Sequence, residues 1–131
     1  MRRDVSLMIL YDREKRVLLQ HRAKDAVRAP DFWAFFGGGI DQGETPDQAL
    51  AREAMEELHW TVKNPRKLFV FDAQPFGKES LLHVYVEECL DASALILGEG
   101  QGWGWFHFEE IKDLKISPWD REIVKQVIDA L

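Results

Sequence analysis

The run Val5–Tyr11 is apolar except for Ser6, and Val17–His21 resumes the same character after the charged stretch Asp12–Arg16. Two short β-rich runs around a polar turn predict a hairpin. Ala23–Pro30 is polar without periodicity and reads as a loop. Trp33–Phe36 predicts a short strand that stops at Gly37-Gly38-Gly39, where successive glycines favour a tight loop and close approach of backbone to a ligand. The period then becomes helical. Thr45 is placed as N-cap, Pro46 stands at the first helical position, Asp47 suits the positive end, and Gln48 completes a capping box. Leu50, Ala51, Ala54, Met55 and Leu58 make the expected buried stripe. Lys67–Phe71 and Leu81–Glu87 predict strands joined by a turn at Gln74–Lys78, and Trp103–Phe108 predicts another. Ser117 and Pro118 open a last helix with Ile123, Val124, Val127, Ile128 and Leu131 on its apolar face. Strands, helix, strands, helix indicate one α/β or α+β layered domain over residues 1–131, with no repeat or linker.

Composition narrows the class. A chain of 131 residues, 46% hydrophobic and 31% charged, can bury a real core and has no disordered tail. Its net charge of −6 argues against a nucleic-acid polymer as main partner, since polymer binding leans on clustered Lys and Arg. A small anionic ligand that brings its own cation remains compatible. Cys89 is the single cysteine, so no intramolecular disulfide forms, which suits a reducing cytoplasm. Met1-Arg2-Arg3 before Val5–Tyr11 has the outline of a secretory leader. The apolar stretch is short, however, and runs into Asp12–Arg16 without a small-residue cleavage site, so it is expected to be a strand. No apolar run reaches membrane-spanning length.

The chemistry concentrates between Gly38 and Trp60. Five residues separate Gly38 from Glu44, and seven separate Glu44 from Arg52-Glu53; an apolar residue and a free position then precede Glu56-Glu57. Residues three and four apart on a helix are neighbours, so Glu53, Glu56 and Glu57 are expected to project together, opposite the apolar stripe. Carboxylates that close repel unless a cation lies among them, and an all-oxygen set suits Mg²⁺, with Mn²⁺ as a substitute. Arg52 lies an i,i+4 step from Glu56 and can hold that carboxylate's geometry, while Glu44 can accept from Arg52 or from loop amides.

This spacing resembles the signature of the Nudix hydrolases, and the length and loop pattern resemble their MutT-like branch. His59 stands where the signature has its last glycine, a departure that touches the helix exit more than the chemistry. The resemblance implies a mixed sheet sandwiched between helices, with a catalytic loop–helix–loop at Gly38–Trp60. It implies Gly38 as a backbone metal ligand beside Glu53, Glu56 and Glu57, and Glu99, in Gly98-Glu99-Gly100-Gln101-Gly102, as an extra ligand or base. Arg22, at the end of the second strand, is implied to meet a phosphate. Trp33, Gly39, Trp119 and Asp120 are candidate substrate contacts: aromatic faces and a carboxylate could clamp a purine, although Trp119 equally suits the anchor of the last helix. The implied activity is Mg²⁺-dependent hydrolysis of a nucleoside triphosphate to monophosphate and pyrophosphate by a cytoplasmic monomer or homodimer. ADP-ribose or nucleotide-sugar pyrophosphatases are the near alternative, suggested by Pro75 fifteen residues beyond Trp60. A non-catalytic nucleotide-binding module is the distant one, disfavoured by the retained Glu53, Glu56 and Glu57.

Overall fold

The computed structural model describes residues 3–97 and 100–131. The first two runs form β1 (Val5–Tyr11) and β2 (Val17–His21), joined at Tyr11↔Val17. Asp12 closes their turn: its carboxylate accepts from the Glu14 and Arg16 amides and pairs with the Arg16 guanidinium at 2.8 Å. Beyond that turn the two strands diverge. The segment that fills the gap is β3 (Trp33–Ala34), paired to β2, and β4 (Phe36–Gly39), paired to β1. On their outer edges β2 carries β7 (Gly102–Phe106), and β1 carries β6 (Leu81–Glu88) in parallel, followed by β5 (Arg66–Asp72). Among the described residues this makes one mixed sheet of seven strands.

Alternation along β1 and β6 sends side chains to both faces, so each face needs a cover. Met8, Leu10, Leu18, Phe36 and Tyr85 pack under α1 (Pro46–Leu58). Leu7, Ile9, Leu19, Val84 and Val86 pack under α3 (Pro118–Ala130), with the short helix α2 (Phe108–Ile111) beside it. The result is the expected α/β/α sandwich. Pro75 lies in a one-turn 3₁₀ helix, Gln74–Phe76, that Gly77 closes in the left-handed conformation.

The structure corrects four sequence expectations. The glycine run is not a loop. Gly37, Gly38 and Gly39 are strand residues opposite Leu7, Ser6 and Val5, because the gap beside β1 supplies backbone partners that outweigh glycine's poor strand propensity. Trp33–Phe36 is not one strand, since the chain changes partner at Phe35, from β2 to β1. β7 ends at Phe106, where His107 accepts from the α2 amides as an N-cap and Phe108 turns helical. Finally, Ala51 and Met55 are exposed, and the buried residues of α1 are Ala49, Leu50, Ala54 and Leu58. At about 100° per residue, Glu53 and Glu57 fall inside that inward arc rather than opposite it. They fit there because α1 rests on β4, whose glycines carry no side chains to exclude them.

Both ends of α1 follow sequence rules. Thr45 Oγ1 accepts from the Gln48 amide at 3.1 Å, and Gln48 Oε1 accepts from the Thr45 amide at 2.9 Å. At the exit His59 takes the left-handed conformation, φ 53° and ψ 33°. Its amide donates to Met55 O at 3.0 Å, and that of Trp60 donates to Ala54 O at 3.2 Å. A side chain in this region costs about 1 kcal/mol that glycine avoids. His59→Gly should therefore raise the melting temperature by about 3–5 °C; an unchanged or lower value in a thermal melt would count against the cap argument.

Candidate functional site

Arg52 organises the carboxylates. Its Nε donates to Glu44 Oε2 at 2.8 Å, Nη2 to Glu44 Oε1 at 2.9 Å and to Gly39 O at 3.1 Å, and Nη1 to Glu53 Oε1 at 2.8 Å. Asp41 and Glu56 stand further out, at 3.4 and 3.5 Å. The planar guanidinium thus grips Glu44 with two donors and braces Glu53 with a third. Glu44 also accepts from the Asp41 amide. The Arg52 hydrogen bonds, helped by that amide, hold its carboxyl down to about 2, and the same carboxylates raise Arg52 above its already high value. Glu44 and Arg52 are therefore a fixed ion pair at any working pH.

Glu53 and Glu57 both meet β4. A Cβ added to Gly38 would overlap the Glu53 carboxylate, coming within 2.8 Å of Oε2, so only glycine lets backbone and carboxylate lie that close. Gly37 N–H donates to Glu57 Oε1 at 3.0 Å. Glu56 is the outward member, its side chain 59% exposed against 15% for Glu53. As the side chains stand, no group of three carboxylate, imidazole or thiol side chains among the described residues is arranged to hold a metal ion. Like charges have separated onto different partners: Glu53 onto Arg52, Glu57 onto the Gly37 amide, Glu56 toward solvent. The donor set still suits a hard divalent cation. Glu53 and Glu57 oxygens and the Gly38 backbone share one corner, and all are oxygen donors.

Sequence reasoning missed Gln20. It is buried, on the α1 face of β2 with Leu18, and its Nε2 donates to Phe35 O at 3.1 Å and to Glu57 Oε2 at 3.5 Å. A polar residue at an inward position of an otherwise apolar strand was the available clue. Gln20 also lines a recess of about 280 Å³ with Arg22, Ala23, Ala26 and Gly100, and that lining includes none of Glu53, Glu56 and Glu57. The Arg22 Nε donates to Arg28 O at 2.9 Å. The rims are tied by Gln101, whose Nε2 donates to Arg22 O and to Asp31, while Asp31 pairs with His21 at 2.9 Å. Glu99 lies outside the described residues. A larger cavity, about 640 Å³, opens elsewhere among Tyr11, Trp60, Lys63 and Glu87 and includes none of these groups.

The aromatic candidates go to the other face. Trp33 stacks on His21, centroids 4.6 Å apart, meets Phe106 edge-on and joins the packing under α3. Trp119 joins the same packing, with Lys78 Nζ 5.0 Å from its ring centre. Asp120 donates its amide to the Ser117 cap, and burial pushes its carboxyl up to about 6, although the Ser117 bond and the Lys78 and Arg22 charges pull it down in part. Gly39 faces the Arg3 guanidinium, which pairs with Asp41 at 3.0 Å. Cys89 is buried and its thiol is pushed up by that burial, which leaves no reactive thiolate. No helix among the described residues is long and apolar enough to cross a membrane.

Comparison with known proteins bears on the family and the fold. The family model of the NUDIX domain matches residues 1–127. Two curated relatives are RNA pyrophosphohydrolases. That of Photobacterium profundum is 33% identical over 98 residues, covering 58% of this chain and 56% of the relative. That of Sulfurovum sp. is 30% identical over 114 residues, covering 74% and 71%. The chain thus spans just over half the length of the first. In fold it resembles a MutT described for Aliivibrio salmonicida and Vibrio cholerae, with a TM-score of 0.79 at 23% identity over the whole of both chains. A MutT NUDIX hydrolase from Burkholderia pseudomallei gives 0.80 at 23% identity, over 97% of this chain and 98% of that one. With the Gly38–Trp60 spacing, the Arg52 clamp and a family match over nearly its full length, the chain belongs to the NUDIX domain family.

Proposed function

We propose that this chain is a divalent-metal-dependent pyrophosphohydrolase that cleaves the diphosphate linkage of a nucleoside triphosphate, releasing monophosphate and pyrophosphate. The observation that carries the reading is the carboxylate corner: Glu53 against the Gly38 backbone, Glu57 on the Gly37 amide, and Arg52 bracing the helix face that holds both. Glu53, Glu56, Glu57 and the Gly38 backbone would hold the ion. A bound Mg²⁺ would supply charge neutralisation at the phosphate oxygens and a bound water of lowered pKa.

The chain's own groups supply position. Arg52 keeps Glu53 from swinging away and ties it through Gly39 O and Glu44 to the loop before α1. Arg22, at the recess beside Gln20, offers a cation to a phosphate. Glu53, Glu57 and Glu99 are the candidate bases for the attacking water. Trp33, Trp119 and Asp120 would touch a base only from the α3 side, and the packing of both tryptophans favours an anchoring role for them.

The RNA pyrophosphohydrolase relatives favour a second reading, the triphosphate at the 5′ end of an RNA, which presents the same anhydride. The Pro75 argument for an ADP-ribose substrate weakens, because that proline serves its own turn. The test is a release assay with Mg²⁺ over free nucleoside triphosphates, ADP-ribose, nucleotide sugars and a 5′-triphosphorylated oligonucleotide, each with and without chelator. Chelator-sensitive pyrophosphate release from free triphosphates is the expected result. Turnover confined to the oligonucleotide would move the substrate to RNA ends, and no metal-dependent turnover of any anhydride would reject the enzyme.

A further inference from the structure

We propose that Gln20 is a positioning residue, fixing the Glu57 carboxylate in the orientation in which it serves the metal site. The inference rests on the metal reading above and adds a residue that the Gly38–Trp60 spacing does not contain. Gln20 occupies an inward place on β2, held on both edges by Ala34 of β3 and Trp103 of β7, with only 4% of its surface exposed. Burying an amide there is costly unless its hydrogen bonds are made, and an apolar side chain of the same length would fill the space without that cost. Its NH₂ group reaches Phe35, where the chain passes from β3 to β4, and Glu57 on α1. The first acceptor is Phe35 O at 3.1 Å; the second is Glu57 Oε2 at 3.5 Å, while the other oxygen of the same carboxylate accepts from Gly37 N–H at 3.0 Å.

The consequence is rotational. The terminal torsion of a glutamate is broad, so a carboxylate held at one oxygen still swings. Bonds to both oxygens, one from backbone and one from a side chain itself tied to Phe35 O, set the plane of the Glu57 carboxylate relative to Gly38. Gln20 also borders the recess that contains Arg22 and Gly100. The orientation of Glu57 is thereby referred to the strand that leads to Arg22, and not only to its own helix.

The test uses the full chain and Mn²⁺ alone, followed by electron paramagnetic resonance without nucleotide, alongside kcat and KM on the best triphosphate. Gln20→Met keeps length and packing and removes both donors. It should weaken Mn²⁺ binding about 10-fold, in the range for lost outer partners of metal ligands. It should lower kcat with KM unchanged and lower the metal-free melting temperature only modestly, because Phe35 O loses its donor. Wild-type Mn²⁺ affinity in Gln20→Met, with binding lost in Glu57→Gln, would overturn the positioning role and leave the metal reading intact. If Glu57→Gln also binds normally, the metal reading falls and takes this role with it. A rise in KM at constant kcat would make Gln20 a substrate contact instead. Gln20→Leu repeats the titration should Gln20→Met not fold, and failure of both to fold would overturn the proposal by making the amide a structural requirement.

Discussion

Glu57→Gln should lower turnover by more than about 100-fold, beyond the loss usual for an outer partner of a metal ligand. The substitution keeps shape and length, and its remaining carbonyl oxygen can still accept from Gly37 N–H, so the melting temperature should barely move. What disappears is the negative charge and one acceptor, and with them the ability to serve as anionic ligand or base. Glu53→Gln should fall as far, and in addition it loosens Arg52, which now meets a charged carboxylate at 2.8 Å. Steady-state kinetics at saturating Mg²⁺ read both. Near-normal turnover in the two variants would locate the chemistry away from this corner.

A second large effect belongs to the neighbouring glycines, and it separates stability from activity. Gly37 has φ 144°, and a Cβ there would collide with the Ser6 carbonyl oxygen and lie 2.9 Å from Leu7 Cα. Both are backbone atoms of β1, held on its other edge by β6, so neither can give way. Gly37→Ala should destabilise by about 3–5 kcal/mol from backbone strain and overpacking together, visible as a sharp drop in denaturation midpoint. One residue on, the added Cβ meets only the end of the Glu53 side chain. Gly38→Ala should fold almost normally and lose activity, because Glu53 must move. Equal stability in the two alanine variants would contradict the strand geometry.

The sequence announces the helix with its caps, the Arg52 clamp and the hairpin, because each depends on residues close along the chain. Thr45, Pro46 and Gln48 act within one turn, and Arg52 finds Glu44 across a single loop. The glycine strand was not legible. Whether Gly37–Gly39 is loop or strand depends on the divergence of β1 and β2, a property of the assembled sheet. The inward placing of Glu53 and Glu57 was hidden for the same reason: hydrophobicity marks Ala51 and Met55 as core, and only the bare backbone of β4 makes room for carboxylates instead. Gln20 escaped notice because its partners, Phe35 and Glu57, are distant in sequence and hydrogen-bond through side chain and strand break.

The parallel pairing of β1 with β6 also governs how the molecule comes into being. Val5 meets Leu82 and Tyr11 meets Glu88, so β1 must wait for the chain through Glu88 before its second edge is closed. Contacts that remote form slowly, and during synthesis the apolar stretch SLMIL can pair with β2 and β4 well before β6 emerges. An apolar strand with one open edge is a template for association with another nascent chain. The charged run Asp12–Arg16, directly after it, has the character of a gatekeeper against that association. The yield of folded protein should therefore depend on the rate of synthesis from β1 up to residue 88 more than on any property of the finished site.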